Sequence, residues 1–474
     1  MKTLNRFLQV SLLLVFCSCN SWLDVDLKDQ MEEHKLFSSE QGFREALAGV
    51  YGKMSQKEMY GQDLTFGILD LLGQSYDAYH MDKQMLPFTT YSYTSSDVQL
   101  KIDNFWSLEY AAIASLNNIL RFVESNGGVM KPVVRDQIKG EALALRAFLH
   151  FDLYRMFAPD VKLQPQVKRL SYVKTFGVEK TPFSTGKEFL DLVVQDLKEA
   201  EGLLADDPIL SVIPYRLGTD ELPEEQTKTE ADTYVARMNY WAVKAMLARV
   251  YLAMGNLADA RTEALEVITA KQFRLMDAKE SLDVDKEAYW DVLFSDEHIF
   301  SLRNQAIRQY AKSTLNSQTA AGTNFQLTEI FIEMLYPNSD DWRRMRWFKG
   351  ASIMKYTREN EGRFKPKVAL IRLVEMYFIV AETYLEEGNP EEALKYINAV
   401  RDSRLRNSSP LETPYTKEDL VLEMRREFIA EGHYFFMYKR MNHVIPTLSI
   451  NEITPSDEVF VFPLPEAEII QGNR

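Results

Sequence analysis

A short segment of the chain combines two aromatic rings with a carboxylate, at Tyr76, Asp77 and Tyr79, and Tyr91 and Tyr93 follow it. A sugar ring offers an apolar C–H face and a rim of hydroxyl groups. Flat aromatic rings flanked by carboxylates, amides or arginines therefore suit it as a binding surface. These five side chains are therefore candidates for contact with a sugar. The alternative for each tyrosine is a half-buried anchor of its loop.

Residue patterns that indicate catalysis are missing from the sequence. The chain has no G-x-S-x-G, no H-E-x-x-H, no phosphate-binding glycine loop and no dinucleotide fingerprint. Ser171 and Lys174 match a two-residue nucleophile pattern, but its companion motifs are absent. Adjacent Asp340 and Asp341 rarely face each other across a substrate, so we interpret them, with Arg343, as a charged helix start or ion pair. We predict no catalytic residue and no enzyme.

Cysteine and histidine usage disfavours a metal or a cofactor. The only two cysteines, Cys17 and Cys19, stand near the N-terminus, and the six histidines are scattered without ligand spacing. We therefore predict no metal site and no cofactor. The chain carries 55 basic and 69 acidic residues, a net charge of −14, so nucleic acid is a disfavoured partner.

The N-terminus has the pattern of an export signal. Lys2 and Arg6 precede an apolar run over 7–16, which is too short for the roughly 20 residues that span a bilayer. Ser18-Cys19 at its end resembles a bacterial lipoprotein signal. We predict that residues 1–18 are removed and that Cys19 carries lipid. The alternative is a plain secretory signal that is cut after the cysteines.

Most of the remaining chain has helical apolar spacing. The segments 102–123 and 188–204 are amphipathic, and Trp106 lies on an apolar stripe that predicts a core position. The segment 141–157 is apolar almost all round, so it should be buried on most sides.

One motif occurs twice with identical spacing. The pattern A-x-x-Y-L-x-x-G-N-x-x-x-A starts at Ala248 and again at Ala381. Small alanines let two helices approach closely, and Gly-Asn supplies a left-handed turn between them. The two copies indicate tetratricopeptide-like helix pairs.

Long breaks separate the helical segments. The break 271–368 contains a predicted strand at 298–302 and a predicted polar loop at 303–324, and further breaks lie at 59–101 and 206–232. Long loops within a folded protein are usually functional, so we expect ligand binding there and not on the repeat helices.

Several sequence blocks, in their order along the chain, resemble the SusD/RagB family, the outer-membrane nutrient-binding lipoproteins of Bacteroidetes. These blocks are Trp22-Leu23-Asp24 after Cys19, Phe105-Trp106, Asn117-Asn118-Ile119-Leu120, Glu141-Ala142 with Arg146-Ala147 and Phe151, Arg372-Leu373 with Glu375-Met376-Tyr377, Ala381-Glu382, Gly388-Asn389, Asn398 with Val400-Arg401, Arg425-Arg426-Glu427 with Glu431-Gly432-His433, and Pro463-Leu464-Pro465. The sequence departs from the family pattern after His433, where Tyr434, Met437 and Tyr438 replace its usual arginine, aspartate and leucine.

The resemblance implies a mainly α fold, in which tetratricopeptide-like helix pairs form a right-handed superhelical scaffold with irregular, loop-rich insertions and a few short strands. Its N-terminal region would span 19–235, and its C-terminal region 236–474 with the insertion 271–368. It also implies ligand contacts around 76–93 and in the loop that holds Arg303, Arg308 and Tyr310.

The implied role is to bind an oligosaccharide at the cell surface, anchored by lipid in the outer membrane, and to deliver it to a SusC-like TonB-dependent transporter. Three alternatives stay open. The same scaffold could bind peptides, with Arg303 and Arg308 contributing more. The chain could instead be a surface glycan-degrading enzyme, or a purely structural scaffold that binds only protein.

Overall fold

The structure, a computed structural model, describes residues 32–77, 81, 83–211, 233–270, 272–277, 291–315, 325–357, 366–447 and 452–472. The α-helices in these ranges are α1 (Glu40–Met54), α2 (Ile68–Leu72), α3 (Leu86–Thr89), α4 (Ser96–Asn126), α5 (Pro132–Phe157), α6 (Gly186–Leu203), α7 (Tyr240–Met254), α8 (Leu257–Thr269), α9 (Ile307–Leu315), α10 (Glu329–Leu335), α11 (Trp342–Trp347), α12 (Leu373–Glu386), α13 (Pro390–Arg404), α14 (Lys417–Glu427), α15 (Tyr434–Met441), α16 (Asp457–Phe460) and α17 (Glu466–Gly472). Single-turn 3₁₀ helices follow α4 and α6 and precede the third strand.

The strands are short and form antiparallel pairs. They are β1 (Lys168–Leu170), β2 (Ser184–Thr185), β3 (His298–Arg303), β4 (Phe348–Lys349), β5 (Ser352–Ile353), β6 (Lys367–Arg372), β7 (Ile445–Pro446) and β8 (Glu452–Ile453). β1 pairs with β2, β3 with β6, β4 with β5 and β7 with β8. The mainly α fold predicted from the sequence is confirmed.

The helices form an array in which each packs on the next. Each helix from α4 to α8 contacts the next one along the chain. Helix α8 then contacts α12, and α12 contacts α13. The segment between α8 and α12 therefore leaves the array and returns to it without interrupting the stacking, as expected of an insertion. One hydrophobic core includes residues from both halves of the chain.

The two copies of the repeated motif form the pairs α7–α8 and α12–α13. Gly255 and Gly388 adopt φ values of 79° and 74°, the left-handed turn that favours glycine. Asn256 and Asn389 then cap the returning helices with their side-chain oxygens. The alanines of both motifs are fully buried, so the backbones approach closely as predicted.

The helix predicted to be apolar all round is buried along most of its length. α5 places nearly every residue from Ile138 to Phe157 in the core. α4 is longer than predicted, because it begins at Ser96 inside the expected break 59–101, which also holds α2 and α3. Trp106 on α4 is buried, as its apolar stripe predicts.

The insertion confirms one prediction and corrects another. The strand expected at 298–302 is β3, which pairs with β6 through Ser301 opposite Ala369. The polar loop expected over 303–324 is wrong for its described part, because α9 forms there. Ile307, Ala311 and Leu315 are buried on one face of α9, at helical spacing that its many polar residues obscure.

A buried cluster of opposite charges lies where the insertion meets the array. We call it the buried ion cluster; its members are Glu297, Asp341, Arg343, Lys355, Arg372, Arg404, Glu427 and Glu431, all almost fully inaccessible to solvent. Arg372 contacts Glu297 at 3.0 Å, Glu427 at 2.8 Å and Glu431 at 3.0 Å.

The cluster also fixes α11, α13 and α14. Arg404 lies 2.6 Å from Glu297 and 3.0 Å from Glu427, and Arg343 lies 2.9 Å from Glu427. Asp341 caps α11 and pairs with Arg343 at 2.7 Å, which confirms the predicted helix start and ion pair. Burial alone would raise the pKa of Glu427, but the surrounding arginines lower it well below its usual range.

Within the described residues, no helix is both long enough and apolar enough to span a membrane.

Candidate functional site

Tyr76, the first of the predicted sugar-binding residues, lies beneath the surface. Its ring stacks on Phe325 with 4.8 Å between centroids, and its hydroxyl donates to the Phe66 carbonyl at 2.8 Å. Only 2% of the residue is exposed. The structure therefore uses this ring as an anchor for its loop and not as an exposed platform.

Asp77 joins the first predicted ligand region to the second. Its backbone N–H donates to the Gln326 carbonyl at 2.7 Å, and the neighbouring Phe325 N–H donates to the Thr314 carbonyl at 2.7 Å. Thr314 belongs to α9, the helix that carries Arg308 and Tyr310. The structure thus brings 76–77 and α9 together through residues 325–326, which follow α9 closely in the sequence but are distant from 76–77.

A cleft opens beside this junction, between α9 and the β4–β5 hairpin. We call it the loop-side cleft; its lining residues are Lys312, Leu315, Lys349, Ser352, Ile353, Met354 and Thr357, and its volume is about 150 Å³. Ammonium and hydroxyl groups on an apolar floor suit a polyhydroxylated ligand. The volume is below the ~300 Å³ at which pockets begin to enclose a whole drug-sized ligand, so the cleft suits one ring or the end of a chain.

Tyr91 and Tyr93 lie towards the C-terminal segment, apart from this junction. The Tyr93 hydroxyl donates to the Val459 carbonyl at 2.6 Å, and its ring meets Phe462 edge-on at 5.2 Å. The Tyr91 hydroxyl donates to the Leu72 carbonyl at 2.7 Å. Burial raises the pKa of both hydroxyls, so they remain neutral donors. Like Tyr76, both tyrosines anchor their loop through these contacts, and ligand contact by the three tyrosines stays a prediction.

Arg303 and Tyr310 are more accessible. Arg303 is exposed at the end of β3, where its guanidinium donates to the Thr233 hydroxyl at 3.2 Å. Tyr310 is half-buried and packs against the core. Ligand contact by Asp77, Arg303 and Tyr310 stays a prediction. Tyr79 and Cys19 lie outside the described residues.

Two family models match the chain in succession. The first, described as starch-binding and associating with the outer membrane, matches residues 21–252, and the second, the SusD family, matches residues 300–459. The chain belongs to the SusD family.

Known SusD-like proteins align over most of this chain. A SusD-like protein of Formosa agariphila is 24% identical over 97% of this chain and 95% of its own length. A SusD superfamily structure from Bacteroides thetaiotaomicron superposes with a TM-score of 0.72 at 22% identity, over 91% of this chain and 98% of that one. A SusD-like carbohydrate binding protein from Bacteroides vulgatus gives a TM-score of 0.68 at 16% identity, over 92% of this chain and 97% of that one.

Sequence reasoning missed the lining of the loop-side cleft in this SusD-family chain. Lys312, Lys349 and Thr357 belong to no motif, and the β4–β5 hairpin has only two residues in each strand. The one available signal was the position of these residues inside the long insertion.

A buried carboxylate, Asp70, ties the Tyr76 loop to the turn before α15. It accepts from the backbone N–H groups of Ala430 at 2.6 Å and Gly432 at 2.7 Å, and it lies 3.2 Å from the Tyr76 hydroxyl. Burial raises the pKa of Asp70 to about 7, although these hydrogen bonds and the charge of Lys355 oppose the rise.

Replacement of Asp70 should therefore change how stability depends on pH. Between about pH 4 and 7, Asp70 is deprotonated in the unfolded state but still protonated in the folded state, because its folded pKa is raised. The stability of the fold therefore falls as the pH rises through that range. The unfolding free energy of the wild type minus that of Asp70→Asn should decrease from pH 4 to pH 8 in urea titrations. Asp191→Asn, on the exposed face of α6, controls for the loss of one negative charge. A difference that stays flat or rises with pH would contradict this assignment.

Proposed function

We propose that this protein captures oligosaccharide at the cell surface and delivers it to a TonB-dependent outer-membrane transporter. The observation that carries the proposal is the succession of family models over 21–252 and 300–459, the first of them described as starch-binding. Members of this family are binding proteins and not enzymes.

The geometry of the loop side supports a binding role. The apolar faces of the helix pairs are buried in the core, while the junction of 76–77 with α9 and the loop-side cleft present polar groups. Asp77, Arg303, Tyr310, Lys312 and Lys349 are the side chains that we assign to ligand. Tyr76 supports this surface from below by its stacking on Phe325.

Oligosaccharide binding should depend on the accessible cations of this surface. The double variant Arg303→Ala, Lys349→Ala removes two donors that reach sugar hydroxyls, and we expect at least a tenfold rise in Kd for the best-bound member of a panel of maltoheptaose, cellohexaose and laminarihexaose in isothermal titration calorimetry. The matched control is Lys187→Ala, an exposed lysine on α6 that pairs with Asp191. Unchanged affinity in the double variant would refute the assigned surface. If peptides of matched length give heat of binding and the saccharides give none, the peptide alternative is favoured.

Membrane attachment should depend on one cysteine and not on its neighbour. We propose that residues 1–18 are removed and that Cys19 is lipidated, leaving regions 19–235 and 236–474 as one tethered body. Cys19→Ser should release the protein from the membrane fraction, while Cys17→Ser, which alters a residue lost with the signal, should leave it attached. The attached protein should copurify from detergent extracts with a TonB-dependent barrel. Attachment of Cys19→Ser, or the absence of any such barrel from cells grown on the bound glycan, would contradict this part of the proposal.

A further inference from the structure

A second opening in the described residues shares no lining residue with the loop-side cleft. It is a groove of about 350 Å³ between α4 and the loop 171–181, and Glu468 of α17 also lines it. We call it the α4 groove. Its volume lies in the range of roughly 300 to 1,000 Å³ that is typical of ligand pockets.

Two aromatic residues line the groove on the α4 side, Tyr110, which is half-buried, and Trp106, of which only 9% is exposed. Trp106 and Tyr110 lie one helical turn apart, with ring centroids 4.8 Å apart and planes inclined by 53°. The edge of Phe157 supports Trp106 at 5.0 Å, and the Tyr110 hydroxyl donates to the Ser171 carbonyl at 3.0 Å. Because these contacts hold both rings, a ligand that stacks on Tyr110 has little side-chain entropy to remove.

The opposite wall is a loop that buried polar groups hold in place. The Asn117 amide donates to the carbonyls of Val173 at 3.0 Å and Thr175 at 3.3 Å, and Arg146 donates to the Lys174 carbonyl at 3.2 Å. Arg146 is itself fixed by Asp196, at 2.7 Å.

A buried histidine completes this support. Burial lowers the pKa of His150 to about 3, so the imidazole is neutral and one ring nitrogen can accept a hydrogen bond. Nε2 accepts from the Val173 N–H at 3.0 Å, which leaves the proton on Nδ1 to donate to the Arg146 carbonyl at 2.9 Å. Several buried polar side chains thus converge on residues 173–175, which fixes the part of this wall that Val173 contributes.

The rim carries charge of both signs. Glu179 and Lys180 lie on the loop, and Glu468 lies on α17. Carboxylates accept hydrogen bonds from sugar hydroxyls, and an ammonium donates to hydroxyl and ring oxygens. Aromatic rings on one side with charged groups at the rim match the apolar face and polar edge of a sugar.

We propose that the α4 groove is a second glycan-binding site, which takes a short segment of a neutral oligosaccharide. The proposal rests on the proposed function and adds to it a site with its own lining. Two sites on one body would hold a long glycan at two points and raise its overall affinity through effective concentration.

Calorimetry with separate variants tests the two sites independently. We expect the wild type to bind two equivalents of a short probe, drawn from maltoheptaose, cellohexaose and laminarihexaose. The double variant Glu179→Gln, Glu468→Gln should weaken one binding event at least tenfold and leave the other unchanged. Arg303→Ala, Lys349→Ala should do the reverse. The wild type could instead show one binding event that is weakened by Arg303→Ala, Lys349→Ala and not by Glu179→Gln, Glu468→Gln. That result would overturn the second site and leave the proposed function standing. No heat with any saccharide would overturn both.

Tryptophan fluorescence supplies a readout that does not depend on rim charges. Saccharide stacking on Tyr110, whose ring contacts Trp106, should change the emission of the wild type. Trp106→Phe, which keeps an aromatic ring in the core, should abolish that change while the protein remains folded by circular dichroism. The same fluorescence change in Trp106→Phe would place the bound sugar elsewhere and overturn the assignment.

Discussion

The contact on which the rest of the structure depends is the buried salt bridge between Arg372 and three carboxylates. Arg372 ends β6 immediately before α12, so its guanidinium lies where the insertion rejoins the helix array. Its partner Glu297 lies in the insertion just before β3, and its partners Glu427 and Glu431 lie in the C-terminal part of the chain. Removing one partner of such a cluster leaves an uncompensated buried charge, which costs far more than the loss of an exposed pair.

This arrangement separates a scaffold from the surfaces built on it. Because α8 packs directly on α12, the array stays continuous while the insertion extends from it. The loop-side cleft lies on the insertion, and the α4 groove lies between a long helix and a loop held by buried polar groups. The loop-side cleft therefore uses a helix and a hairpin, and the α4 groove uses a helix and a loop that buried side chains hold at 173–175, which limits the entropy lost when a ligand binds.

The sequence predicts the scaffold well because its signals are local. The Gly-Asn turns at Gly255 and Gly388 and the buried alanines follow from spacing within one motif, and α5 follows from its composition. The role of the tyrosines is not local. Tyr76 is buried because Phe325 stacks on it. Tyr93 is buried because its hydroxyl donates to the Val459 carbonyl and its ring packs against Phe462. Such partners, more than two hundred residues away, cannot be read from the loop that carries the tyrosine.

The most direct test of this account is the stability of Glu427→Gln, which keeps the shape of the side chain and removes its charge. We expect a loss of about 3 to 5 kcal/mol in the free energy of unfolding, the usual effect of breaking a buried ion pair. Hydrogen exchange should also accelerate more in residues 325–357 of the insertion than in the α7–α8 pair. The control, Lys395→Gln, breaks an exposed pair with Glu392 and should cost less than about 1 kcal/mol. Equal stability of the two variants, with unchanged exchange in the insertion, would contradict the central role of the buried ion cluster.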